Sequence, residues 1–113
     1  RQLDREWAGT SFHVVAIVEY YRAATVGFAG TLRQRGYTEA EIGIHAGLAD
    51  TSLALAADPG LVRADQQRAI QVAPAPPGVS GDPRRATAEL GKAGIDIIVA
   101  QSVAAIRKAV GHR

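Results

Sequence analysis

Residues 12–21 read FHVVAIVEYY, and how this run is read decides the fold. Apart from His13 and Glu19 every side chain is apolar or aromatic, and Val14, Val15, Ile17 and Val18 are β-branched. Successive residues of a strand point to opposite faces, and here neither face is polar. The run therefore predicts a strand buried on both sides. His13, at its start, is expected to be structural. Such a strand needs strand neighbours, and only the short Ile70-Gln71-Val72 offers a second one. The chain thus reads as half of a layered α/β domain, completed by preceding sequence or by another subunit.

On the N-terminal side, Leu3 and Trp7 lie one helical turn apart, and Ala8-Gly9 ends that turn as a glycine C-cap would. Trp7 is expected to anchor a core or an interface. On the other side, residues 22–35 turn helical or partly looped, with Gly27 and Gly30 weakening the helix and Gly36 terminating it. Thr38 and Glu41 have the spacing of a capping box. Between residues 45 and 57 the apolar positions wrap most of the way round, predicting a helix buried on nearly all sides that Asp58-Pro59-Gly60 ends. Residues 61–71 are amphipathic, and residues 73–80 form a proline-rich extended loop. Asp82 as cap and Pro83 as first residue open a last helix, whose stripe of Leu90, Ala93, Ile97, Ala100, Ala104 and Ala105 runs towards Val110.

At 113 residues with 47% hydrophobic and 21% charged side chains, the composition is that of one globular domain, not of a disordered tail. No apolar run approaches the ~18 residues of a membrane span, and no leader is visible, so the expected setting is the cytoplasm without membrane attachment. The absence of cysteine excludes disulfides, zinc ribbons and thiol nucleophiles. A sequence pI near 9.4 hints at nucleic acid, yet the net charge is only +2. The densest basic pairs, Arg33 with Arg35 and Arg84 with Arg85, have no interleaved aromatics on which bases could stack, so no nucleic-acid partner is expected.

Dinucleotide, Walker and HExxH motifs are absent, and Gly78-Val79-Ser80-Gly81 is one residue short of a nucleophile elbow. The informative stretch is GIHAGLADTS at residues 43–52. It places His45 just ahead of a helix, followed by the small Ala46 and Gly47. An imidazole beside free helix N–H groups suits a developing oxyanion or a bound carbonyl. The alternative is a histidine that merely caps the helix. Asp50 could orient a polar group or simply cap a buried network.

This stretch, extended to GIHAGLADTSLALAADPGLV, resembles the HAGxxETS segment of the creatininase (creatinine amidohydrolase) family. Residues 5–10, REWAGT, followed by the apolar run, resemble the region after that family's NGHxxN motif. Residues 78–91, GVSGDPRRATAELG, resemble its GxxGDPxxAxxExG helix start. The resemblance covers essentially the whole chain. It implies a three-layer α/β/α fold, of which residues 1–113 are roughly the C-terminal half of a single domain, in an enzyme that is often a homo-oligomer. It also implies hydrolysis of a C–N bond in a small cyclic amide or formamide by a metal-activated water. The zinc or manganese would be held by ExH, Asp and NGHxxN ligands that precede the matched part, so this chain supplies no metal ligand.

Carried over by position, His45 corresponds to the family's proton-transferring or substrate-positioning histidine. Tyr21 and Glu41 fall where creatininase has two substrate-clamping tryptophans. Ala46, Gly47 and Asp50 complete the implied substrate wall. Ile44 replaces an acid, and Asp50 shortens the glutamate of ETS, which argues against creatinine itself as substrate. The alternative function is a non-catalytic structural or interaction subunit.

Overall fold

A computed structural model describes residues 2–111. Along the chain run α1 (Gln2–Glu6), α2 (Val18–Arg22), a π-helical stretch (Ala23–Phe28), α3 (Ala29–Gln34), α4 (Glu39–Ile42) and α5 (Leu48–Ala57). A 3-10 turn (Pro59–Leu61), α6 (Ala64–Ala69), a second 3-10 turn (Pro83–Arg85) and α7 (Ala88–Gly111) complete the order. Among the described residues there is no strand, and a single antiparallel bridge joins His45 to Ser80.

The expected α/β architecture, a three-layer α/β/α fold, is therefore overturned. Residues 12–17 are non-helical but pair with no other backbone, and Phe12, Val14 and Val15 are exposed. A strand is held by the donors and acceptors of its neighbours, and the described residues bring no second extended run beside this one. Only side chains serve it: Asp4 accepts from the Val14 N–H at 3.1 Å, and Thr10 from the Phe12 N–H at 3.2 Å. From Val18 onward the chain closes its own hydrogen bonds as helix, so the second half of the predicted strand becomes α2. Ile70-Gln71-Val72 forms no strand either. Trp7 remains substantially exposed and meets Phe12 edge to face at 6.1 Å, a local contact instead of a core anchor.

The helical predictions fare better. α2, the π stretch and α3 run on without a break until Gly36, whose φ of +88° turns the chain. There the Gly36 N–H reaches Arg33 O at 2.9 Å and the Tyr37 N–H reaches Leu32 O at 3.1 Å. The Thr38–Glu41 capping box is present in both directions. α5 ends at Ala57 as predicted, with Asp58 accepting from the Gly60 N–H at 2.8 Å. It is not buried all round, however: Leu48 and Ser52 are buried, and most of its other residues are only half-buried. Asp82 does cap a helical turn with Pro83 at its start, but that turn is 3-10. α7 begins afterwards, with Thr87 accepting from the Leu90 N–H at 3.2 Å.

The core lies where the Phe28–Leu32 face meets Ile42, Leu48, Ala86 and Leu90. α5 and α7 form the principal helix pair, and glycine sets their separation. A Cβ on Gly91 would lie 1.8 Å from Ser52 O, and one on Gly94 would lie 2.8 Å from Leu53 Cδ2 and 2.9 Å from the Phe28 ring. Beyond Gly94 the helix leaves this core, and Val99, Val103, Ile106 and Val110 are exposed. His112 carries no assigned role and lies outside the described residues.

Candidate active site

The His45 loop is held by backbone. Ser80 donates its N–H to His45 O at 2.8 Å, and Ser80 O accepts from the N–H of Ile44 at 2.8 Å and of His45 at 3.2 Å. The Asp82 N–H adds a bond to Glu41 O at 2.9 Å. Three glycines make this approach possible. A Cβ on Gly43 would fall 1.8 Å from Ser80 O, and one on Gly81 would lie 2.6 Å from Gly47 Cα and 2.9 Å from Gly43 Cα. Two of the sequence stretches singled out above, residues 43–52 and 78–91, are thus locked together main chain to main chain.

Immediately after His45 the chain bends at Ala46, whose φ of +53° lies in the left-handed region that disfavours a Cβ. Asp50 compensates by accepting from the Ala46 N–H through Oδ2 at 3.0 Å, while the Thr51 hydroxyl donates to Ala46 O at 3.4 Å. Asp50 thus closes a local turn ahead of α5, with its carboxylate exposed and not set in a buried network. Gly47 then starts α5 without a side-chain cap, so the first N–H groups of that helix meet no side-chain acceptor. His45 itself is exposed, and its imidazole has no hydrogen-bond partner among the described residues.

Glu41 is more heavily engaged. Its Oε2 accepts from the Thr38 N–H and hydroxyl, each at 2.9 Å, and its Oε1 from Arg85 at 2.7 Å. The Thr38 backbone and hydroxyl bonds, then Arg85, hold this carboxyl below the usual glutamate range. Arg85 also lies over the Tyr37 ring, 4.4 Å from its centroid. Asp82 is held below its ordinary range chiefly by the Arg84 hydrogen bond, and Arg33 pairs with Glu39. Three of the four cations in the densest basic pairs are therefore neutralised locally. Tyr21 stands apart, exposed on α2, which packs on α7 and on its own π-helical continuation. No hydrogen bond or ring contact joins it to the His45 loop.

The matched stretches, their spacing and their interlocking agree with a comparison across families, in which the model for creatinine amidohydrolase matches residues 1–106. The chain belongs to the creatininase family. No curated protein and no solved structure matches it. Creatininases are hydrolases acting on C–N bonds and are generally metal-dependent. The residues here do not fit a metal: among those described, no three His, Asp or Glu side chains come together as a ligand group. What the creatininase segment does hold is a fixed loop with one free imidazole and an uncapped helix start. Among the described residues no helix is long and apolar enough to cross a membrane.

Sequence reasoning overlooked Arg63 and Gln66. They line a cleft of about 430 Å³ between α5 and α6 that Ala46 and Asp50 also border. No motif marks them, since α6 is short and its polar residues resemble an ordinary solvated face.

Proposed function

We propose that this chain supplies the His45 loop to an amidohydrolase that opens the C–N bond of a small cyclic amide or formamide. The observation that carries this reading is the free imidazole of His45, presented on a main-chain lock of three glycines within a creatininase segment. In this reading His45 transfers a proton to or from the reacting amide, the role that imidazole takes most often in general acid–base catalysis. The N–H groups at the start of α5, which meet no side-chain acceptor, favour negative charge building on the oxygen of a carbonyl bound beside Ala46 and Gly47. Tyr21 and Glu41 are proposed as outer substrate wall, Glu41 with its carboxylate already shared between Thr38 and Arg85.

The zinc or manganese implied by the family would be held by residues outside these 113, on preceding sequence or a partner polypeptide. Assembly into a homo-oligomer, and a cytoplasmic setting, belong to the same proposal. Ile44, exposed beside His45 where creatininase carries an acid, supports a substrate other than creatinine.

The test is His45→Ala in the complete, metal-loaded enzyme, assayed on a panel of cyclic amides and formamides. Turnover should fall by roughly 10²-fold or more with metal content unchanged, the loss typical of a removed acid–base group. Unchanged turnover would refute the assignment. Metal-loaded, folded enzyme inactive on every amide would favour the structural-subunit alternative.

A further inference from the structure

The cleft between α5 and α6 carries a charge pattern that the His45 chemistry does not use. Asp50 borders it from α5 and Arg63 from the start of α6, with Ala54, Leu61, Val62 and Ile70 lining the space between. Neither charge is neutralised: Asp50 and Arg63 form no ion pair with each other or with any other described side chain. Asp50 gives only Oδ2 to the Ala46 N–H, which leaves Oδ1 available. Arg63 makes no side-chain hydrogen bond at all, and the Gln66 amide beside it is equally unpartnered. The wall itself is fixed, because Gln67 Nε2 donates to Pro83 O at 2.9 Å and to Ala86 O at 3.0 Å.

We propose that this cleft binds a small zwitterion, an ω-amino carboxylate, with its ammonium at Asp50 and its carboxylate at Arg63 and Gln66. A simple anion would meet the Asp50 carboxylate, and a simple cation the Arg63 guanidinium. Only a ligand with both charges satisfies both ends, while its methylene chain covers the apolar floor. A volume of about 430 Å³ falls within the span typical of small-molecule sites.

With a cyclic amide, though not with a formamide, the proposed reaction makes such molecules. Water adds its oxygen to the carbonyl carbon of a cyclic amide, the C–N bond breaks, and the nitrogen takes a proton. At neutral pH the acid loses its proton and the amine gains one, leaving a carboxylate and an ammonium at the two ends of one chain. Ala46, next to His45, borders the cleft, so product could pass from loop to cleft. This origin of the ligand rests on the amidohydrolase reading, whereas the binding does not.

The experiment is an amide chemical-shift titration of the chain with aminobutanoate, aminohexanoate and aminooctanoate, each carrying its amine at the far carbon, and with hexanoate and hexylammonium. Saturable shifts at Thr51, Ala54, Val62 and Gln66 are expected for at least one amino acid, with hexanoate and hexylammonium weaker by about 10-fold or more. Arg63→Gln and Asp50→Asn should each weaken binding by a similar factor. Asparagine keeps an oxygen for the Ala46 N–H, and Arg63 has no bond to lose, so an unchanged spectrum confirms the fold of each. Absence of saturable shifts, equal affinity for hexanoate, or indifference to either substitution overturns the zwitterion site. Binding by the chain, with no hydrolysis of the corresponding cyclic amides by the complete enzyme, would leave the cleft standing and refute the amidohydrolase origin of its ligand.

Discussion

At the scale of single residues, glycine decides whether the His45 loop exists. Gly43 and Gly36 both have positive φ, +66° and +88°, so an added methyl is strained at either position. They differ in what that methyl meets: Ser80 O at 1.8 Å for Gly43, and nothing within 4 Å for Gly36. Gly36→Ala should therefore cost about 1 kcal/mol, the conformational term alone. Gly43→Ala should cost about 3 kcal/mol or more, because main chain must move and the bonds to Ser80 go with it. Denaturant midpoints of the two variants measure the difference, and equal midpoints would mean that the loop and residues 78–82 are not in contact. Here the sequence was half legible. It marks residues 43–47 as unusual, but nothing in it says that Gly43 and Gly47 must be small because Gly81 lies against them. Contact across such a separation is invisible to local spacing.

At the scale of elements, the capping box of α4 couples stability to pH. Glu41 is held below its ordinary pKa by Thr38 and Arg85, so the folded state binds its proton less readily than the unfolded chain does. The stabilisation is therefore fully present above the unfolded glutamate value of about 4.3 and is lost as pH falls through the lower folded value. In thermal melts, wild type should be more stable than Glu41→Gln at neutral pH, and the gap should close below about pH 4. A gap that is constant with pH would show that the carboxylate charge contributes nothing. Glu39 and Asp82 are lowered too, so the difference between the two proteins is the informative quantity. Elements with local chemistry were the legible ones: the box, the Gly36 stop, the Asp58-Pro59-Gly60 stop and the Asp82 cap all follow from neighbouring residues. The strand over residues 12–21 did not, because a β-branched run specifies only a readiness to pair. Pairing is a property of two segments, and the described residues supply one.

At the scale of the molecule, the shape reflects what the core leaves uncovered. The Cα radius of gyration is 17.6 Å, against about 13–14 Å for a compact domain of this length, and the principal extents are 57 × 27 × 26 Å. The core at Phe28, Leu32, Leu48 and Leu90 meets only the first turns of α7. Its later turns carry Val99, Val103, Ile106 and Val110, spaced by four, three and four residues, which is the spacing of one continuous helical seam. An apolar stripe of three turns, together with exposed Phe12, Val15 and Val18, is more than isolated surface residues produce by chance. The chain should accordingly bind an apolar-sensing fluorescent dye under native conditions. Val103→Glu combined with Ile106→Glu should lower that signal without lowering stability, since neither side chain belongs to the buried cluster. A dye signal unaffected by the two glutamates would place the apolar surface elsewhere, on the residues around Phe12. A matching loss of stability would instead mean that the Val99–Val110 face of α7 is packed in solution, and that the molecule is more compact than its extents indicate.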